Sequence, residues 1–229
     1  MITVVLVEPS KSGNLGAVCR SMKNFGLNEL VLVNPKCNKN SLEARKRAKH
    51  ARDVLKKAKV VKQFSYIDKF DYKVGTTSKI GKDYNITRVP VTASVFSNKF
   101  GKSKKKVALV FGREGKGLYN SELEKCDFVV AIPTSKKYPT INLAHSCTVL
   151  FYELFLASGM DSISSHIAEA GGAEFKQIMR LLDTSMKKMK FQNKDKKETQ
   201  RKVWRRMITK SNMSKREAYA LMGFLRKLM

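Results

Sequence analysis

Apolar and polar positions along the chain follow two rhythms. Short runs rich in β-branched residues occupy 3–7, 30–33, 72–75, 105–111 and 128–132. They read as buried strands. Between the first two runs, a turn-rich loop at 12–16 leads into Leu15, Val18, Met22 and Phe25, which recur at helical spacing over 14–25 before Gly26. Strand, loop, helix and strand in this order form the unit of a parallel sheet, so the expected fold class is α/β. Residues 41–62 read as one helix with a thin apolar side of Leu42, Ala48, Leu55 and Ala58. Residues 79–85 read as a loop, 89–95 as a strand or sheet edge, and 121–126 as a short helix. Pro133 closes the 128–132 strand, and the apolar run 146–157 is long enough for a buried helix of about three turns.

After Gly159 the texture changes, which predicts one domain over 1–159 and a basic helical extension over 160–229. Gly171 and Gly172 mark a loop there. Phe175, Ile178, Met179, Leu182, Met186 and Met189 form a helical apolar face. Residues 187–202 are basic with almost no apolar positions and are expected to be mobile. Val203, Trp204, Met207 and Ile208 seed another helix, and Ser214 with Glu217 is a capping box opening a last one to Met229.

Charge changes the picture more than composition does. The 229 residues carry 46 Lys and Arg against 19 Asp and Glu, a formal net charge of +27. Such an excess repels itself unless a polyanion is near, which makes nucleic acid the leading partner and an anionic membrane surface the rival. The cations of 41–62 far outnumber their i,i+4 acid partners, of which Glu43 beside Arg47 is one, so that stretch is either a solvated face or a phosphate-facing one. No apolar run reaches the roughly 18 residues needed to span a bilayer. The opening MITVVLVEPS has no basic segment before its apolar run and reads as a strand and not a signal peptide. Cys19, Cys37, Cys126 and Cys147 make no C-x-x-C pair, which points to reduced thiols in a cytoplasmic protein without a zinc site.

Chemistry gathers at three junctions: 14–20, 112–117 and 138–146. A polar loop leaving a buried strand and feeding a buried helix is where an α/β fold places its ligand. Gly112, Gly115 and Gly117 lack the spacing of a dinucleotide fingerprint, yet glycines there let a ligand approach main-chain groups closely. Gly101-Lys102-Ser103 lacks the earlier glycine of a P-loop, since Phe96 stands in its place. His50, His145 and His166 are scattered and read as structural or surface residues. Without metal ligands, a Ser/His or Cys/His pair, or a Walker sequence, hydrolysis is disfavoured.

Taken in order, Asn14-x-Gly16-Ala17-x-x-Arg20, then Phe111-Gly112-Arg113-Glu114-Gly115-x-Gly117-Leu118, then Ile132-Pro133 with Asn142-Leu143-Ala144 resemble the three motifs of the SpoU branch of SPOUT-class RNA ribose 2′-O-methyltransferases. The likeness spans about 1–158. The run 138–143 (YPTINL) is similar to the last motif of the TrmJ group, and Trp204-Arg205-Arg206 resembles its helical extension.

The resemblance implies a parallel sheet with a C-terminal trefoil knot, a homodimer whose site is completed across the interface, and tRNA as substrate at a cytidine or uridine of the anticodon loop, position 32. It implies S-adenosyl-L-methionine held largely through main-chain groups by Thr76, Thr77, Ser78, Gly112, Ile132, Thr140, Ile141 and Leu143. Arg20, Asn14, Glu114, Thr140 and Asn142 would form the catalytic set, and Arg20, Arg113, Tyr138, Arg205 and Arg206 would meet RNA.

Methyl transfer from a sulfonium needs in-line placement and loss of a proton, and no metal. Arg20, with a pKa above about 12, suits a phosphate clamp better than a base. Glu114 would orient Arg20 or Arg113, or make a loop salt bridge; Asn142 would tie two knot loops together; and Tyr138 would stack on a base or cover the site. Thr140 stands where many relatives carry serine; it keeps the hydroxyl but adds a methyl that stiffens χ1. The alternatives are the same chemistry on ribosomal RNA or the tRNA D-loop, and an RNA-binding assembly factor without turnover.

Overall fold

The computed structural model describes residues 1–78, 89–159 and 168–229. The loop expected at 79–85 and His166 lie outside them. The chain divides into two units, Met1–Met160 and Asp161–Met229.

The first unit is a seven-stranded sheet built from β1 (Ile2–Val7), β2 (Glu29–Val33), β3 (Lys59–Val61), β4 (Tyr72–Thr76), β5 (Pro90–Thr92), β6 (Val107–Phe111) and β7 (Phe128–Ala131). The spatial order is β3-β2-β1-β6-β4-β7-β5, and every pairing is parallel. β6 lies between β1 and β4, aligned through Val107 with Ile2 on one side and Tyr72 on the other. All five of its residues are buried, as expected for a central parallel strand covered on both faces. Alternation along the strands divides the core. Val4, Leu6, Leu32, Leu109 and Phe111 join a cluster with α1 (Ser12–Asn24), α4 (Ala93–Phe100) and α6 (Leu143–Ser158). Val5, Val7, Val31, Val33 and Val110 face the other way, onto Ile67, Leu118 and Leu123, the last in α5 (Asn120–Leu123).

Three local expectations need correction here. Residues 41–62 are not one helix: α2 (Leu42–Ala48) and α3 (Arg52–Lys57) are separated by a 3₁₀ turn, and 59–61 joins the sheet as β3. The break falls at Lys49, whose φ is 51°. Its causes are tertiary, since Ala44, Ala48, Val54 and Leu55 are all buried in the same cluster. The segment 89–95 is strand only through Thr92, whose Oγ1 accepts a hydrogen bond from the Val95 amide and starts α4. Phe96 and Phe100 are the buried residues that hold this helix. Residues 12–16 belong to α1, and Gly16 serves helix packing: a Cβ there would collide with the Ala44 carbonyl of α2.

The second unit consists of α7 (Gly172–Lys188), α8 (Lys194–Lys210) and α9 (Lys215–Lys227). Ile178, Leu182, Met186, Met222 and Leu225 make its core, and α8 adds only Ile208 as a buried residue. Within the stretch 187–202, the residues from Lys194 onward are helical. Asn193 caps α8 by accepting from the Lys196 amide at 2.9 Å, and Arg201 grips Asp183 of α7 at 2.7 and 3.0 Å. α9 opens with the capping box: the Ser214 amide donates to Glu217 at 2.7 Å, and the Glu217 amide donates to Ser214 Oγ at 3.3 Å. No helix among the described residues is long and apolar enough to cross a membrane.

Candidate functional site

The chain runs from β1 to β3 on one side of the sheet and resumes on the other with β4, leaving the switch at the carboxyl ends of β1, β4 and β6. Parallel sheets place ligand crevices at such points. A cavity of about 440 Å³ lies there, within the range of small-ligand sites. Thr76 leaves β4 with its hydroxyl donated to the Val110 carbonyl at 3.0 Å, and the Thr77 amide donates to the Val130 carbonyl, so the 76–78 segment is tied to both neighbouring strands.

The 112–117 loop leaves β6 and turns back on itself. Arg113 and Gly117 exchange main-chain hydrogen bonds at 3.2 and 2.9 Å, with Gly115 at φ 84° and Gly117 at φ 68°. Gly112 admits this return, because a Cβ would strike the Gly117 carbonyl carbon and the Leu118 nitrogen. Its bareness therefore makes room for the chain itself as well as lining the cavity. The third wall is the 132–142 loop, in which Thr134 Oγ1 donates to the Pro139 carbonyl. It ends at Asn142, whose Oδ1 accepts from the Ala144 amide at 2.9 Å and starts α6 three residues before the apolar run.

All eight residues expected to hold the cofactor line this one cavity, together with Asn14, Glu114, Asn142 and Tyr138. A polar chain links the three junctions. Asn142 Nδ2 donates to Asn14 Oδ1 at 3.3 Å, and Asn14 Nδ2 donates to Glu114 Oε1 at 3.2 Å. Asn142 thus ties the start of α6 to α1, not to a second loop.

Glu114 orients neither Arg20 nor Arg113. It accepts from the Ser10 amide and hydroxyl at 3.0 Å each and from the Lys11 amide at 3.3 Å, besides Asn14. Burial pushes its pKa up, but the hydrogen bonds from Ser10, Asn14 and its own main chain outweigh burial and hold it below the ordinary carboxylate value. It is an ionised anchor across neutral pH, joining the 112–117 loop to the start of α1.

Arg113 is likewise reassigned. Its Nε donates to Glu8 at 2.8 Å, its two terminal nitrogens meet Glu122 at 2.9 Å each, and its guanidinium lies 4.0 Å from the Tyr119 ring centre. With 13% of the side chain exposed and both acids engaged, it is committed within the fold and not to RNA. The Glu122 bonds, more than those of Glu8, raise its pKa despite burial. Glu8 itself sits at φ 47°, bound by Asn34 Nδ2 at 2.8 Å, a strained carboxyl terminus of β1 held by its contacts.

Arg20 lies on α1 and is exposed; its side chain has no hydrogen-bond or ion-pair partner among the described residues, and it does not line the cavity. Tyr138 is 79% exposed at the mouth. Thr140 lines the cavity from an exposed position. Arg205 and Arg206 are exposed on α8 of the second unit. His50 and His145 are exposed. Sequence reasoning missed Ser10, Lys11 and Glu8. Their value comes from the neighbouring end of β6, where Glu114 and Arg113 meet them.

Three thiols are inert by environment. Burial pushes Cys19 and Cys126 up to about 12 and raises Cys147 well above the ordinary thiol value, so none is poised as a nucleophile.

Comparison with known proteins agrees with this architecture. The chain is 36% identical over 225 residues to tRNA (cytidine-2′-O-)-methyltransferase TrmJ of Methanocaldococcus jannaschii, covering 97% of each. It is 31% identical over 233 residues to the protein of the same name from Sulfolobus acidocaldarius, covering 99% of this chain and 93% of that one. The crystal structure of TrmJ from Z. mobilis ZM4 superposes with a TM-score of 0.70 at 23% identity, over 100% of this chain and 99% of that one, a likeness of fold. The description "SpoU rRNA Methylase family" matches residues 1–152, and with the motif residues gathered on one cavity the chain belongs to that family.

Proposed function

We propose that the chain is a tRNA ribose 2′-O-methyltransferase using S-adenosyl-L-methionine, acting on a cytidine or uridine at position 32 of the anticodon loop. The observation that carries the reading is the convergence of eight expected cofactor residues on one cavity, beside the Asn142–Asn14–Glu114 chain. Two relatives that match nearly the whole chain are named for cytidine 2′-O-methylation of tRNA, which favours that substrate over ribosomal RNA.

The cavity suits the cofactor chemically. Residues 76–78, 112 and 139–143 line it, Thr76, Thr77, Ser78 and Thr140 among them, and Ile132, Leu143 and Leu150 are apolar lining residues suited to an adenine. When bound, S-adenosyl-L-methionine supplies an electrophilic methyl on a sulfonium. The residues of the chain do the rest by placement. Glu114, held ionised, fixes the loop against α1, and the two asparagines hold the third wall in register. Arg20, whose side chain has no partner among the described residues, offers a guanidinium to a phosphate, which sets the ribose oxygen in line. Glu114 is already engaged by Ser10, Lys11 and Asn14 and is read as an anchor and not a base, so the ribose proton leaves to water.

The 76–78, 112–117 and 132–142 segments are the ones that would close the trefoil knot. We also propose a cytoplasmic homodimer. Val149, Tyr152 and Leu156 form an exposed apolar stripe on α6, and Arg20 stands outside the cavity of its own chain, both as expected if a second copy completes the site.

The test is transfer of labelled methyl to unmodified tRNA transcripts with the modified nucleotide mapped. The wild type is expected to label position 32, and Arg20→Ala to lose at least tenfold in rate while cofactor affinity by calorimetry stays unchanged. Labelling confined to another RNA, or undiminished transfer by the variant, overturns the assignment.

A further inference from the structure

A second cavity, of about 570 Å³, lies between α7 and α8 within the second unit. Its walls carry two rows of cations. Lys176 and Arg180 are one turn apart on α7, and Arg201 and Arg205 are one turn apart on α8, so each pair projects from one side of its helix. Arg201 is satisfied by Asp183, which it meets with two nitrogens at 2.7 and 3.0 Å. The side chains of Lys176, Arg180 and Arg205 have no hydrogen-bond or ion-pair partner among the described residues. Phe175, Met179 and the buried Ile208 line the same cavity and supply its apolar surface.

These features together select a ligand. Unpaired cations crowded on facing helices repel one another until an anion sits between them. A simple counter-ion would meet the cations but leave the aromatic and thioether surface unused. A base-paired duplex presents its phosphates outward and keeps its bases stacked inside, out of reach of a cavity between two helices. An unpaired nucleotide offers both parts at once, a phosphate for the cations and a base face for an aromatic ring. We infer that the α7–α8 cleft takes one unpaired nucleotide of an RNA strand, with its phosphate on Arg180 and Arg205 and its base against Phe175 and Met179. The inference rests on the reading of RNA as substrate and adds to it a strand-type preference and a particular groove.

The experiment uses the full chain, a labelled single-stranded RNA hexamer, a blunt RNA duplex of the same length, and fluorescence anisotropy over a salt series. The wild type is expected to prefer the hexamer. The double variant Arg180→Ala/Arg205→Ala should bind it about tenfold more weakly, with a log–log salt slope shallower by about 1.4, the value for two lost single-strand phosphate contacts. Arg226→Ala/Lys227→Ala on α9 removes the same charge outside the cleft and is expected to change affinity less than about twofold. Equal losses in the two double variants overturn the site in favour of bulk charge, as does duplex binding as tight as hexamer binding. Methyl transfer to tRNA measured alongside separates the two readings. A chain inert on tRNA that still loses hexamer binding in the cleft variant sinks the enzymatic assignment and keeps the cleft. An active chain whose hexamer binding survives does the reverse.

Discussion

Glu114 shows how one side chain gains a role from where its neighbours end. Five atoms from three other residues and its own main chain converge on it, and only Asn14 among the partners was visible as a motif residue. Because its pKa is lowered in the fold, its contribution to stability is full above the unfolded value of about 4.3 and is lost as pH falls through the lower folded value. Wild-type protein is therefore expected to lose melting temperature on acidification below about pH 5. Glu114→Gln should be less stable at neutral pH and should show a flatter acid limb, read by calorimetric melting between about pH 3 and 7. An acid limb of unchanged steepness would mean that other carboxylates, Glu8 among them, carry it. Methyl transfer by the variant should fall about tenfold, since the anchor of the loop is weakened while its shape is kept.

Among the elements, α1 carries the site and is seated by small residues. Gly16 faces the Ala44 carbonyl so closely that Gly16→Ala must push α1 from α2, with an expected cost of about 1–3 kcal/mol in urea denaturation. A change within a few tenths of a kcal/mol would show that the helices can slide apart freely. What could be read in advance at this scale follows physical lines. β1, β6 and α1 were legible because long apolar runs and regular spacing leave one interpretation. α4 was not, since Val91, Thr92 and Val95 of PVTASV favour strand and only the burial of Phe96 and Phe100 decides for helix. α8 has almost no apolar rhythm; good helix formers, an asparagine cap and the Arg201–Asp183 grip make it. The break at Lys49 has no glycine or proline to announce it. The site motifs were legible as residue types, but the partners of Glu114 and Arg113 were not. Those pairings depend on β6 entering between β1 and β4, which no local pattern encodes.

For the whole molecule, the stranded position of Arg20 gives a sharp expectation. If a second copy completes each site, Arg20→Ala and Asn142→Ala, each inactive alone, should regain activity when refolded together. Roughly a quarter of wild-type turnover is expected, since half of the dimers are mixed and each mixed dimer keeps one intact site. Absence of any recovery, with mixed dimers confirmed by differential tags, would place each site within a single copy.

The late arrival of β6 in the middle of the sheet also bears on how the protein is made. Until residue 111 has left the ribosome, β1 has an open edge where its central neighbour belongs, and the sheet can grow only outward through β2 and β3. Parallel pairing across so long a stretch of chain forms slowly. Nascent chains paused before β6 would display a bare row of main-chain donors and acceptors flanked by Val4, Val5 and Leu6, a surface prone to pairing with other nascent chains.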